Sequence, residues 1–412
     1  MRVLMTGATG FIGNALAQAL LREGHELVCA VREPARLDLG PGRWRAVRAD
    51  LSTVPDAAWW QPHLAGVQAV INAVGIIREQ PGQAFDALHA RAPSELFQAA
   101  ADAGVRTAIQ ISALGADDEA QSRYHRTKKI ADDTLRALPL AGAVVQPSIV
   151  YGAQSPGAAM FNSMAAAPLL AMPQAGAMQV QPVHVDDVVA GVLALLAAPP
   201  TPVATVAFVG PEPLAMADYL RQLRGALGLP GGLPVLPLPT PLFLAGAHLA
   251  AHVPGSMLDP ETAGMLLRGN AAPSQDFRRL LGRAPRAVPA FIEPHQVAPL
   301  RARAVLDVWQ PVLRVALALA WFGTALALFQ ATGPGAAIAT LLGLSALACP
   351  ARWRRALWLA QGALVAVALL VAGAVLLPRP SLTAWGLPGL ALLGLLWALE
   401  PATPPKKAVP AA

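Results

Sequence analysis

Cysteine and charge are both scarce in these 412 residues. Two cysteines, Cys29 in a predicted strand and Cys349 in a hydrophobic stretch, leave no disulfide framework and fit a reducing compartment. Charged residues are only 14% of the chain against 55% hydrophobic, with a mean hydropathy of +0.46, too apolar a balance for a wholly water-soluble enzyme. No basic segment followed by an apolar run opens the sequence, so a secretory signal is not expected and residues 1–300 are assigned to the cytoplasm. The net charge of +6 invites a nucleic-acid reading, but its location argues against one. From Arg301 onward there are nine Lys/Arg and two Asp/Glu, whereas the first 300 residues hold 22 basic and 23 acidic residues. The excess of positive charge therefore flanks lipid-sized segments, and a bilayer rather than a nucleic acid is the expected partner.

Those segments are long runs without ionisable side chains. Residues 315–351 are interrupted only by Cys349 and by the turn Thr332-Gly333-Pro334-Gly335, and read as two short spans. Residues 356–378 and 380–399 supply two more, each near the ~20 helical residues that cross a bilayer. Basic clusters precede the first span (Arg301, Arg303, Arg314), separate the second from the third (Arg352, Arg354, Arg355) and follow the fourth (Lys406, Lys407), so both ends face the cytoplasm. No carboxylate or histidine lies inside the spans, which suits an anchor or partner-binding element better than a proton path.

Ahead of the tail, short apolar runs alternate with helical patterns up to about residue 150, the signature of a doubly wound parallel α/β sheet. The predicted strands are Val3–Thr6, Glu26–Val31, Ala46–Ala49, Ala69–Ala73, Thr107–Ser112 and Ala143–Gln146. Residues 151–293 are richer in Pro and Gly and read as a small substrate-side region, with a helix over Leu214–Leu227. Within Val235–Val253 the prolines 237, 239 and 241 leave a helix of about twelve residues, short for a span. Residues 294–310 read as a linker, 311–400 as an all-α four-helix transmembrane domain and 401–412 as a cytoplasmic tail.

The stretch Thr6-Gly7-Ala8-Thr9-Gly10-Phe11-Ile12-Gly13 follows the first strand and opens a helix at Asn14. Glycines at these positions let the backbone turn tightly and approach a pyrophosphate, whose charge is met by the free N–H groups of the helix start. Strand, loop, helix and next strand in order make this a dinucleotide fingerprint. Arg32, where an acidic residue would bind the ribose of NAD, suits a 2′-phosphate, with Arg36 assisting, so NADP(H) is favoured over NAD(H). Asp50 is placed to contact the adenine, and Ala73, Val74 and Gly75 pass under the cofactor.

Tyr124 and Lys128 lie four apart on one helix face, twelve or more residues after Ser112 at a strand end. A phenol of pKa about 10 needs a neighbouring ammonium to favour its anion. Lys128 supplies that charge and holds the nicotinamide ribose, Ser112 hydrogen-bonds the substrate oxygen, and Tyr124 passes the proton as hydride moves. His184, Asp186 and Asp187 read as a helix start, and His248 with His252 has no third ligand, so no metal is expected.

TGATGFIG at 6–13, Asp50-Leu51, Ser112 and Tyr-His-Arg-Thr-Lys at 124–128 resemble the extended or atypical short-chain dehydrogenase/reductase superfamily. Gln146-Pro-Ser-Ile-Val-Tyr-Gly152 and Pro182-Val-His-Val-Asp-Asp187 are similar to later motifs of its epimerase-like and complex I accessory-subunit-like branches, with Gln146 where arginine is usual. The resemblance covers roughly residues 1–293, and the tail resembles the DoxX-like membrane domain. It implies a Rossmann sheet, NAD(P) binding that includes Leu51 and Pro147, and Ser112, Tyr124 and Lys128 as catalytic residues. The expectation is a membrane-anchored NADP(H)-dependent oxidoreductase or epimerase acting on a small hydrophobic carbonyl or alcohol. The alternative is a non-catalytic NADPH-binding protein that stabilises or senses a membrane complex.

Overall fold

The first strand, β1 (Arg2–Thr6), is buried from Val3 to Thr6, as a strand covered by helices on both faces must be. The computed structural model describes residues 1–252, 258–329, 335–375 and 393. It divides into two compact units, Met1–Arg301 and Ala302–Ala412.

In the first unit β1 leads through α1 (Phe11–Arg22), β2 (Glu26–Val31), β3 (Trp44–Arg48), α2 (Ala57–Leu64), β4 (Ala69–Asn72), α3 (Ala92–Asp102), β5 (Thr107–Ile111), α4 (Arg123–Ala137) and β6 (Ala141–Pro147). These strands and a seventh, Ala204–Phe208, form one parallel sheet in the order Ala204–Phe208, β6, β5, β4, β1, β2, β3. The order reverses at β1, between β4 and β2. In open parallel sheets that reversal opens a crevice at the carboxyl ends of the strands, where ligands bind.

The predicted strands lie where expected with small shifts. β3 begins two residues before the predicted Ala46, because its register is set by β2, with Leu27 opposite Trp44 and Val31 opposite Arg48. An edge strand half open to water needs no continuous apolar run. Ala73 and Ser112, predicted as strand ends, fall just beyond them and belong to the loops of the crevice. The seventh strand had no counterpart in the sequence reading, which ended the sheet near residue 150. It is a half-exposed edge framed by Pro199, Pro200 and Pro202, so neither alternation nor an apolar run marks it.

One face of the sheet is covered by α1 and the helix Val185–Ala197, with Phe277 stacked on Phe208 at 4.2 Å. The other is covered by α2, α3 and α4, where Trp60, Leu96, Phe97 and Leu135 are fully buried. The proline-broken stretch forms a strand, Val235–Leu238, paired with Leu170–Pro173, and then an 11-residue helix, Thr240–Ala250. The predicted helix Leu214–Leu227 is Met216–Ala226.

The segment read as a linker, 294–310, is helical, and the division between the two units falls within it, after Arg301. It is the start of a 36-residue helix, Pro294–Phe329, opened by a proline at the position whose N–H needs no intrahelical partner. Among the described residues the stretch Pro294–Phe322 is the one helix long and apolar enough to cross a membrane. Two further helices, Gly335–Ala348 and Ala351–Val375, are described. They pack with the first around Leu317, Ala318, Ala346 and Trp358. The buried amide of Gln361 accepts from Trp321 Nε1 and donates to Leu342 O and Ser345 Oγ. Apart from Leu393, the expected fourth span lies outside the described residues, as do Thr332 to Pro334 of the turn and Lys406 and Lys407.

Candidate functional site

The loop after β1 is shaped by contacts that only glycine satisfies. Gly7 has φ +74°, and a Cβ there would lie 2.5 Å from the backbone carbonyl of Ala73. A Cβ on Gly13 would lie 2.0 Å from the Gly7 oxygen, so helix and loop meet backbone to backbone. Gly10, the N-cap of α1, donates its N–H to Gly7 O at 2.9 Å and offers the helix start no side-chain cap. The first-turn N–H groups of α1 are thereby left to meet an anion.

A cleft of about 470 Å³ opens over this loop. It brings together Gly7, Thr9 and Gly10 with Arg32 and Arg36 from the turn after β2, Asp50 and Leu51 from beyond β3, and Ala73, Val74 and Gly75 from beyond β4. The other expected cofactor residues do not line it. Thr6 is buried and donates to Asn72 Oδ1, Gly13 lies beneath Gly7, and Ile12 packs on the core. The Phe11 ring lies against Gly152, and Pro147 is buried with its carbonyl accepting from Leu114 N–H at 3.0 Å.

Between the two arginines stands Glu33, which the sequence reading passed over. Its carboxylate pairs with Arg36 at 2.7 Å and approaches Arg32 Nε at 3.9 Å. Its signal was adjacency to the end of β2, one residue beyond Arg32. Asp50 accepts from the backbone N–H and hydroxyl of Ser52, at 3.0 and 2.7 Å, and so caps the turn Leu51–Thr53 at the rim.

Helix α4 carries the second cluster. Ser122 caps it by accepting from His125 N–H, and Glu261 accepts from Tyr124 N–H at 2.9 Å. Tyr124, Lys128 and Asp132 occupy successive turns of one face. Lys128 is buried, and its ammonium donates to Val74 O and Ile111 O, both at 3.0 Å, which fixes it under the wall of the nucleotide cleft. Desolvation lowers its pKa to about 8 although the Asp132 charge opposes that shift.

The Tyr124 ring is half-buried, edge-on to His89, Phe85 and His125. Its pKa is pushed up to about 12 by burial and by the Asp132 charge. This corrects the expectation that Lys128 favours the phenolate: the surroundings keep the phenol protonated. Ser112 was expected to face the substrate oxygen, yet its hydroxyl donates to Asp132 Oδ2 at 2.5 Å. Ser112, Tyr124 and Lys128 are brought to one end of the sheet, with Asp132 as an added member.

His89 is a further residue missed. It comes from a π-helical segment, Asp86–Arg91, is wholly buried, and accepts from Ile76 N–H through Nε2 at 3.0 Å. Its Nδ1 faces Thr127 Oγ1 at 3.3 Å. Burial and the neighbouring Lys128 charge depress its pKa to about 2, so it is a neutral strut between the cleft wall and α4. No local spacing announces it.

The remaining motifs are structural ties. His184 caps the helix Val185–Ala197 by accepting from Asp186 N–H at 3.2 Å. The buried Asp187 accepts from the Arg283 guanidinium and the Arg286 N–H. Gln146 donates to Ala116 O, steadying the turn after β5. His248 and His252 direct Nδ1 at carbonyls of their own helix turn, and no group of metal-ligating side chains forms among the described residues.

Residues 7–161 match the family model described as NAD(P)H-binding. The chain is 28% identical over 252 residues to the ceramide reductase of Caulobacter vibrioides, covering 60% of this chain and 77% of that protein. It is 25% identical over 249 residues to mouse NADH dehydrogenase [ubiquinone] 1 alpha subcomplex subunit 9, mitochondrial, covering 58% of this chain and 63% of the subunit. In fold it is similar to a nucleoside-diphosphate-sugar epimerase from Staphylococcus aureus, with a TM-score of 0.55 and 17% identity over 71% of this chain and 99% of that one. Glycine loop, strand order and the match over residues 7–161 agree: the first unit holds a Rossmann sheet similar to NAD(P)H-binding domains, with the fold of the epimerase it resembles.

Proposed function

We propose that this chain is a membrane-anchored, NADP(H)-dependent oxidoreductase that moves hydride to or from a hydrophobic carbonyl or alcohol. The observation that carries the reading is the position of Lys128, pinned to Val74 O in the cleft wall, on the same helix face as Tyr124. The cradle fits the cofactor: Gly7 and Gly13 let the loop pack backbone to backbone on Ala73 and on α1, and the start of α1 has no side-chain cap. When bound, the nicotinamide supplies or accepts the hydride.

The chain's own residues do the rest. Lys128 spends two of its three N–H donors on backbone carbonyls, leaving one for a ribose hydroxyl. Tyr124, kept protonated, is a proton donor for the oxygen of a carbonyl being reduced. Arg32 and Arg36 bind a 2′-phosphate in place of Glu33, which supports NADP(H) over NAD(H).

The apolar helix Pro294–Phe322 supports a membrane anchor; in this reading the anchor is multi-pass, DoxX-like and lies in the cytoplasmic membrane. An anchor concentrates the site near lipid-soluble molecules, and the likeness to a ceramide reductase supports a lipid carbonyl as substrate class. The partners in this reading are the bilayer and a small hydrophobic substrate.

Engagement of the Ser112 proton by Asp132 favours a second reading, a non-catalytic NADPH-binding protein of a membrane complex. Cofactor fluorescence followed against long-chain ketones, aldehydes and quinones separates the two. The enzyme reading expects consumption of NADPH, lost at least ~100-fold in Tyr124→Phe with cofactor affinity intact. NADPH that binds but is consumed with none of the panel refutes it in favour of the second reading.

A further inference from the structure

A row of buried side chains crosses the carboxyl ends of three adjacent strands. Thr6 on β1 donates to Asn72 on β4, and Asn72 Nδ2 donates to Gln110 Oε1 on β5 at 2.7 Å. Gln110 shares β5 with the segment that leads to Ser112, and Ser112 donates to Asp132 on α4. Two atoms in this row are buried without a hydrogen-bond partner among the described residues, Gln110 Nε2 and Asp132 Oδ1. The row thus runs from the residue before the glycine loop to the helix that carries Tyr124 and Lys128.

A serine hydroxyl has one proton. While Asp132 is ionised that proton is committed to its carboxylate, and Ser112 shows any approaching carbonyl oxygen only lone pairs, which repel it. A protonated Asp132 reverses the bond: its O–H donates to Ser112 Oγ, and the serine O–H turns free. The geometry points to Asp132 as a positioning residue that sets the direction in which the Ser112 hydroxyl donates, outward to a substrate oxygen only when the carboxyl is neutral. This inference rests on the carbonyl chemistry proposed above.

The surroundings bear on both states. From its own helix Asp132 feels the ammonium of Lys128 one turn before and the guanidinium of Arg136 one turn after, and both hold the proton off. From β5 the Ser112 hydroxyl and the Gln110 amide do the same. The phenol of Tyr124 and the neutral imidazole of His89, from the π-helical segment, bring no charge. Burial opposes all of these and outweighs them, raising the carboxyl to about 6. The Gln110 amide faces this carboxyl without closing a full hydrogen bond to Oδ1, which leaves the Ser112 hydroxyl as its one hydrogen-bonded donor.

Two arms test the inference on the full-length protein in detergent. Infrared difference spectra across acid and neutral pH read the carboxyl directly and need no turnover. A protonated-carboxyl band that vanishes as pH rises through about 6, is absent in Asp132→Asn, and persists to higher pH in Ser112→Ala supports the pairing. The same band titrating identically in wild type and Ser112→Ala overturns it.

The second arm is the pH profile of kcat with a long-chain aldehyde and NADPH. Wild type is expected to lose about tenfold per pH unit above the titration. Asp132→Asn, whose amide donates to Ser112 Oγ, is expected to be flat through about pH 6 and up to the onset of the Lys128 titration near 8, with KM for NADPH unchanged in that range. A fall through about pH 6 that survives in Asp132→Asn overturns the inference, and so does a loss of kcat at all pH in a variant that melts and binds NADPH as wild type does. If no aldehyde turns over, the oxidoreductase reading falls while the infrared arm still decides the Asp132–Ser112 pairing. If Asp132→Asn does not fold, Ser112→Ala carries the infrared comparison alone.

Discussion

Replacing the second and third glycines of the loop by alanine separates holding a dinucleotide from holding the fold. Gly10 is exposed, and a Cβ there meets only Gly7 O at 3.2 Å, a contact relieved by a few tenths of an ångström. Its φ of −81° is ordinary for any residue. Gly10→Ala is therefore expected to change stability by no more than ~0.5 kcal/mol. The added methyl stands where the pyrophosphate must approach the amides of α1, so NADPH affinity is expected to fall at least tenfold, about 1.4 kcal/mol.

Gly13 is buried, and its Cβ would sit 2.0 Å from Gly7 O. Relieving that overlap against backbone moves α1 off the loop, an overpacking cost toward the upper end of roughly 1–3 kcal/mol, which exceeds the up to about 1 kcal/mol of helix propensity gained. Titration calorimetry with NADPH and thermal unfolding of both variants are the assays. Gly10→Ala binding NADPH as wild type does would refute the claim that these backbone amides cradle the phosphates. A Gly13→Ala protein as stable as wild type would refute the packing argument.

The two arginines beside Glu33 give a specificity test: Arg32→Ala/Arg36→Ala is expected to weaken NADPH by about tenfold or more while leaving NADH within about threefold, measured by the same calorimetry. Equal losses for both cofactors would place the arginines off the 2′-phosphate. Lys128 gives a pH test. Its pKa is about 8 in the fold against 10.5 free, so between those values the unfolded chain holds a proton that the folded chain has released, and stability rises with pH across that window by roughly 3 kcal/mol at most. Below pH 8 the buried ammonium is charged in the fold and that contribution is gone. Lys128→Met should lack the rise in denaturant unfolding at pH 8 and 10, and parallel behaviour of the two proteins would contradict the buried, desolvated ammonium.

What the sequence made legible follows from how local each constraint is. The glycine loop is dictated by backbone sterics within eight residues, and Gly7 and Gly13 make the close approaches that such a loop demands. The Tyr124–Lys128 spacing is equally local. Asp132 sits at the same four-residue interval beyond Lys128, but its meaning depends on Ser112 and Gln110, which only strand pairing brings near. His89 was beyond reach because a π-helical segment 35 residues before Tyr124 aims it at the cleft wall. The direction of the Tyr124 shift was misjudged for a related reason. Spacing identifies a cation in the sequence, whereas burial and the Asp132 charge act through three-dimensional packing. The seventh strand escaped notice because edge strands between prolines carry little apolar patterning.

The carboxylate of Glu261 accepts from the Tyr124 amide across 137 residues of chain, and nearby Arg268 grips Asp117 while Asn270 meets Ile149 N–H. During synthesis β1 to β6 emerge and can pair before any of these late residues exists. The first turn of α4 then waits with an uncapped amide until the ribosome has passed position 270. Completion of the Tyr124 end of α4 is in this way coupled to near-completion of the whole first unit, so a nascent chain halted midway would hold the glycine loop beside an unfinished tyrosine helix.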